Sequence, residues 1–182
     1  MHIRKTKMDD LDQVCQIYKD AQEFMRENGN PGQWGNMHPP RDLIIEDIHA
    51  GKSYVCVNES DGEIVAVFYF AIEADPTYAK IDGSWKNDEP YGVIHRIARA
   101  PNARGAGTFC MEWCYTQHNN IRIDTHKDNE AMIRSLNKLD FSFCGIIWIE
   151  SGDERLAFQK GFQKVFNKCK NISLIVDICL FL

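Results

Sequence analysis

Two groups of residues in this chain have the types and spacing that chemistry needs. The first is a turn of small residues, Arg104-Gly105-Ala106-Gly107-Thr108, between the apolar run Tyr91 to Ala98 and a segment with helical spacing at Phe109, Met111, Trp113, Cys114 and Tyr115. Gly105 and Gly107 lack a Cβ, so a bulky ligand can approach the backbone, and the open amides of a helix's first turn point into such a loop. That combination suits an anion, most often a phosphate, although Gly-x-Gly also marks ordinary turns. The second group is His95 on the apolar run, with Asp124 and His126 at the end of the next one, Ile121 to Thr125. An imidazole with an ordinary pKa of about 6.5 suits proton transfer near pH 7, and a histidine hydrogen-bonded within a sheet is the competing reading. Asp124 can equally hold Arg96 or Arg122, and His126 can cap the following turn.

These groups need a scaffold, and hydrophobic period supplies its outline. Residues 2–5 read as a strand, and a helix opens at Asp9 or Asp10 with the stripe Leu11, Val14, Cys15, Ile17, Tyr18, Ala21, Phe24 and Met25. A Gly/Pro loop over 28–40 carries Trp34, and a second helix spans 41–50. Runs at 53–57 and 64–72, joined by the turn at 59–62, predict an antiparallel hairpin. The polar connection 75–90, with Tyr78 and Trp85, is longer than a hairpin needs, and loops of that length are often functional. The central strand, in regular alternation, would put Val93, His95 and Ile97 on one face and Ile94, Arg96 and Ala98 on the other. A helix from about 129 to 139 and strands at 143–149 and 156–159 complete the order βααββ, then βαβαββ.

Composition limits the function classes. A chain of 182 residues with 44% hydrophobic content is expected to form one core. Its net charge of −5 and lack of a large Lys/Arg cluster argue against nucleic acid as a partner. Seven unpaired-looking cysteines and an N-terminus without an apolar run point to a reduced, cytoplasmic setting. Cys110, Cys114 and His118 share one helical face, but three ligands on one straight helix spread over two turns, so core packing is favoured and no metal is expected. The apolar end 173–182 is too short to span a bilayer, which needs about 20 residues, so no membrane is expected. It is expected to pack on the domain or on a second subunit, as in a homodimer.

Pro101-x-x-Arg104-Gly-x-Gly107 after a strand resembles motif A of the GCN5-related N-acetyltransferases, Gln/Arg-x-x-Gly-x-Gly/Ala. Arg104 and Gly107 match, and Phe109 stands where Gly or Ala is usual. A second motif agrees, since Asn129, Lys138 and Phe141 follow the family's Asn-x-x-Ala-x-x-x-Tyr-x-Lys-x-Gly-Phe. The resemblance implies an α/β fold, of mixed α+β character, with a mostly antiparallel mixed sheet and helices on both faces. It covers residues 1–160 as one domain, with 161–182 as a C-terminal extension.

The resemblance also implies a cosubstrate, acetyl-CoA, with its pyrophosphate on the amides of Arg104, Gly105, Ala106, Gly107 and Thr108. Its pantetheine arm would lie along Ile97, Ala98 and Arg99, near Asn129. His95 stands nine residues before Arg104, where related serotonin N-acetyltransferases carry a histidine in the base role. Leu136 occupies the position of the tyrosine that protonates the leaving thiolate in many members, and Asp140 replaces a glycine. The expected activity is transfer of acetyl from acetyl-CoA to a primary amine of a small molecule or peptide. Asp124 or His126 would act as acid or amine ligand, and Trp34, Tyr78 and Trp85 would wall the acceptor pocket. A non-catalytic acyl-CoA binding module is the alternative that Leu136 and Phe109 suggest. A nucleotide-phosphate site is disfavoured, since no Gly-Lys-Ser/Thr follows the loop.

Overall fold

The computed structural model describes residues 1–161 apart from Asn36. The extension read over 161–182, with its apolar end, therefore lies outside the described residues except for Gly161. The elements are β1 (His2–Lys5), α1 (Leu11–Glu27), α2 (Arg41–His49), β2 (Ser53–Val57), β3 (Ile64–Ile72) and β4 (Asp82–Gly83), followed by β5 (Gly92–Arg99), α3 (Ala106–Gln117), β6 (Ile121–Thr125), α4 (Glu130–Lys138), β7 (Ser142–Trp148) and β8 (Glu154–Lys160). Short 3-10 turns at Met8–Asp10 and Pro76–Tyr78 join them.

All eight strands form one sheet in the order β1-β2-β3-β5-β6-β8-β7-β4. Every pairing is antiparallel except β5 with β6, which run parallel. Helices α1 and α2 cover one face, where Leu11, Val14, Ile17, Ile44 and Ile48 pack on Val55, Val67 and Ala98. The other face carries α3 and α4, with Cys110, Met111, Cys114 and Leu136 against Phe68, Phe70, Ile94 and Ile123. The apolar spacing of α1 leaves no other way to bury its stripe. Its start is fixed by Arg4, whose guanidinium donates to both oxygens of Asp10 at 2.7 and 2.9 Å and so ties β1 to the helix entry.

Two features depart from the sequence expectations. The loop 75–90 contains the two-residue strand β4, paired to β7 at the sheet edge. More consequential is a bulge in β5: Val67 faces Ala98, but Tyr69 faces His95, so Phe68 opposes two residues. Arg96 takes φ 50 there. The extra residue breaks the alternation, and Ile94 and Ile97 both join the α3/α4 core. His95 and Arg96 turn to the opposite side, where Arg96 lies 4.7 Å over the Tyr69 ring and donates to Asp47 at 2.7 Å.

Candidate active site

The parallel β5–β6 ladder is short. It pairs Gly92 with Ile121 and Val93 with Arg122, and beyond that point the strands separate. From Ile94 onward, β5 keeps β3 on one edge and presents open backbone groups on the other. The gap is a cleft of about 660 Å³ lined by Trp34, His38, Tyr69, Asp75, His95, Asp124 and Arg155 among others. It adjoins a second cavity of about 240 Å³ between Ile97, Ala98, Arg99 and the α4 residues Met132 and Ser135. Met25, Ile97, Asn129 and Met132 line both.

Gly107 of the glycine turn lines the smaller cavity. Gly105 caps α3 in the left-handed region at φ 83, and an added Cβ at Gly105 or Gly107 would meet nothing within 4 Å. The Arg104 amide donates to Asn102 O at 3.0 Å and the Ala106 amide to Ala103 O at 3.3 Å, so these two serve the turn itself. The amides that a helix leaves open at its start are then those of Gly107 and Thr108, above an uncrowded surface. Such a turn fits a pyrophosphate, and the open β5 edge at 97–99 fits an amide-bearing arm. Arg99 turns its guanidinium onto the loop carbonyls of Ala100 and Pro101, at 2.9 and 2.6 Å. Asn129 caps α4 by accepting from the Met132 amide at 3.1 Å and donates to Gln33 at 2.8 Å, which ties the Trp34 loop to the cleft.

Where the strands part, a polar cluster has formed. His95 Nε2 is 2.7 Å from Asp75 Oδ2, and His95 Nδ1 is 3.8 Å from Asp124 Oδ1. The Tyr78 hydroxyl donates to the same Asp124 oxygen at 2.8 Å. Burial and the neighbouring Asp124 charge hold the Tyr78 phenol well above its ordinary range, so it stays a donor. Burial would raise the Asp75 carboxyl, but hydrogen bonds from His95 and Thr77 outweigh it and hold the pKa at about 2. An ionised carboxylate only accepts, so Nε2 carries the proton of that bond in either charge state of the ring. In the neutral ring, Nδ1 is then a free acceptor beside Asp124.

The sequence reading named His95 and Asp124, and the fold brings them together. It missed Asp75, which lies 20 residues before His95 in the long loop; the Asp-Pro-Thr run there was a readable signal. Asp75 Oδ1 accepts from the Thr77 amide at 2.8 Å and hydroxyl at 2.6 Å, capping the 3-10 turn. His126 does not join the cluster. Its Nδ1 accepts from the Asp128 amide at 3.3 Å, holding the turn after β6. Among the three aromatic residues expected to wall the pocket, only Trp34 lines the cleft. Tyr78 is 2% exposed behind Asp124, and Trp85 packs on it in a tilted arrangement with ring centroids 5.2 Å apart and donates to its carbonyl at 3.0 Å. These two rings belong to a core under the cluster, because the loop folds back on the sheet.

Leu136 is fully buried in the core. The α4 residues that face the cavities are Ala131, Met132 and Ser135, so this helix brings no phenol to the cleft. Cys110 and Cys114 are likewise core residues, and His118 bonds the Asn120 carbonyl.

Beside the cluster, Asp47 pairs with Arg96, and burial raises its carboxyl. Glu73 accepts from Lys52 at 2.6 Å and from the Tyr69 hydroxyl. Burial and the charges of Arg96, Arg155 and His95 push the His38 imidazole down to about 4, leaving it neutral.

The fold has counterparts among solved structures. A GNAT-family acetyltransferase structure from Streptococcus agalactiae is 29% identical, covers 90% of this chain and 96% of its own, and superposes with a TM-score of 0.80. Ribosomal-protein-alanine N-acetyltransferase from Brucella melitensis shares the fold at 16% identity and TM-score 0.62, over 89% of this chain and all of its own (100%). The acetyltransferase yncA of Salmonella typhimurium, solved with its cofactor acetyl-CoA, shares it at 13% identity and TM-score 0.61, over 90% and 94% of the two chains. No curated protein matches the sequence. The model of the Acetyltransferase (GNAT) family matches residues 11–141, more than half of the chain. With that match spanning both the glycine turn and the His95 cluster, the chain belongs to the GNAT family and is an acetyl-CoA-dependent acetyltransferase.

Proposed function

We propose that the acceptor is a primary amine of a small molecule or peptide, and that His95 takes its proton. The observation that carries this reading is the pair of acceptors at the end of the β5–β6 gap, His95 Nδ1 and Asp124 Oδ1, 3.8 Å apart. A primary amine offers two N–H groups and can donate to both. Acetyl-CoA supplies an activated thioester carbonyl, whose arm would lie along Ile97, Ala98 and Arg99 and whose phosphates would meet Gly107 and Thr108.

Asp75 keeps the imidazole in the Nε2–H form and stabilises the positive ring once Nδ1 has accepted a proton. Asp124 orients the amine, and Tyr78 holds Asp124 in place. Burial of Asp75 and Asp124, each 15% exposed at the side chain, strengthens these interactions by limiting water. Trp34 contributes an apolar wall on the acceptor side. The alternative of a silent acyl-CoA binder gives no account of a carboxylate-anchored histidine at the point where the strands part.

Steady-state release of free coenzyme A from acetyl-CoA, with and without a panel of primary amines, tests the reading. Amine-dependent release, lost in His95→Gln with coenzyme A affinity retained, supports it. Release that no amine stimulates would remove it.

A further inference from the structure

Side chains alternate along β8, so Leu156 and Phe158 enter the α3/α4 core while Arg155 and Ala157 face the other way. Arg155 is 6% exposed and lines the same cleft as His95 and Asp124. Among the described residues its hydrogen bonding is one contact, Nη1 to the neighbouring Glu154 carbonyl at 2.9 Å, and it makes no ion pair. The other cationic side chain along the cleft is matched, Arg96 by Asp47 at 2.7 Å. Glu150, on the exposed rim, does not pair with Arg155.

A largely buried guanidinium without a counter-ion is unfavourable, because it has lost much of its water and gained no opposite charge, and the nitrogens of Arg155 that no protein group engages open onto the cleft. Its planar fork matches a carboxylate in two parallel hydrogen bonds. A ligand that brings a carboxylate into the cleft would complete it. The neutral His38 beside it adds no competing positive charge.

We propose that Arg155 binds a carboxylate of the acceptor, so that the acceptor is an amino-acid-like amine: its nitrogen at His95 and Asp124, its carboxylate on Arg155. The proposal rests on the amine-acetylation reading and names its substrate class.

The test follows coenzyme A release with matched acceptors, each amino acid and a set of dipeptides against their C-terminal carboxamides. The free carboxylates are expected to have the higher kcat/KM by about tenfold or more. Arg155→Gln should raise their KM by about 10- to 100-fold, the worth of a charge-assisted hydrogen bond, with kcat and the carboxamide rates nearly unchanged. Arg155→Lys, which keeps the charge but loses the fork, should recover part of the loss. Coenzyme A titration reports that each variant is folded; should Arg155→Gln fail to fold, Arg155→Lys must still raise the carboxylate KM several-fold.

Calorimetry of the same acceptors on coenzyme A-loaded protein separates the two readings. Carboxylate binding that depends on Arg155 without turnover supports the subsite and removes amine acetylation. Carboxamides used as well as carboxylates, or carboxylate KM unmoved by both variants, overturn the subsite and leave amine acetylation standing. If no carboxylate of the panel binds, the subsite is also overturned.

Discussion

His95 and Asp75 meet through a 2.7 Å contact between Nε2 and Oδ2, although 20 residues separate them and they lie on different elements. The contact fixes which ring nitrogen is free, and the free one faces Asp124. Under the proposed reaction, proton transfer to His95 would depend on a loop residue as much as on the strand.

Replacing His95 with Gln is expected to lower kcat by about 10²–10⁴-fold, the usual worth of a positioned base. Coenzyme A affinity should stay within a few-fold, since the glycine turn is untouched. A folded His95→Gln enzyme with the original kcat would assign the proton to another group.

For Asp75 the folded carboxyl is held at about 2, below its ordinary 3.8. A depressed carboxyl contributes stability that is full above the ordinary value and is lost as pH falls from about 4 towards about 2. Asp75→Asn should therefore lower the urea midpoint at pH 7, and the gap to the parent should narrow as the pH is taken below about 4. A gap that stayed constant down to pH 3 would mean that the carboxylate charge is not what stabilises the loop.

Gly107→Val should weaken coenzyme A by about 10- to 100-fold, as expected if a branched Cβ displaces a phosphate from a charge-assisted amide contact. Because the new Cβ meets no protein atom within 4 Å, the melting temperature without ligand should change little. Unchanged affinity would move the phosphates away from this turn.

Trp34 and Trp85 should behave differently. Trp34→Ala is expected to raise the acceptor KM and leave coenzyme A affinity alone, since the ring lines the cleft proposed to take the acceptor. Trp85→Ala should act on stability, towards the lower end of the about 3–5 kcal/mol seen for large aromatic truncations, because it supports Tyr78 and stacks on Arg122 at 4.2 Å. An acceptor KM shift in folded Trp85→Ala larger than that in Trp34→Ala would reverse the assignment.

Much of the fold was legible because local pattern and burial agree. The 3.6 spacing of Leu11, Val14, Ile17 and Tyr18 can bury itself only as one face of a helix, and the β-rich runs around the 59–62 turn pair as a hairpin. Gly105 and Gly107 between strand and helix marked a tight turn at a helix start, which the fold contains, and the structure adds that the Arg104 and Ala106 amides are used within it.

Tertiary structure decided the rest. The β5 bulge puts His95 and Arg96 on one side, which no period-two reading can foresee, because the extra residue is set by pairing with β3. Folding of the 75–90 loop onto the sheet made Asp75 a partner of His95 and turned Tyr78 and Trp85 from pocket walls into supports. Whether a position on α4 faces cavity or core depends on the helix's rotation against the sheet, and that rotation buries Leu136 and turns Ser135 outward. Sequence alone determined which residues had the chemistry to act; the separation of β5 from β6 after Val93 determined which of them face a common space, because such meetings are set by contacts far apart in the chain.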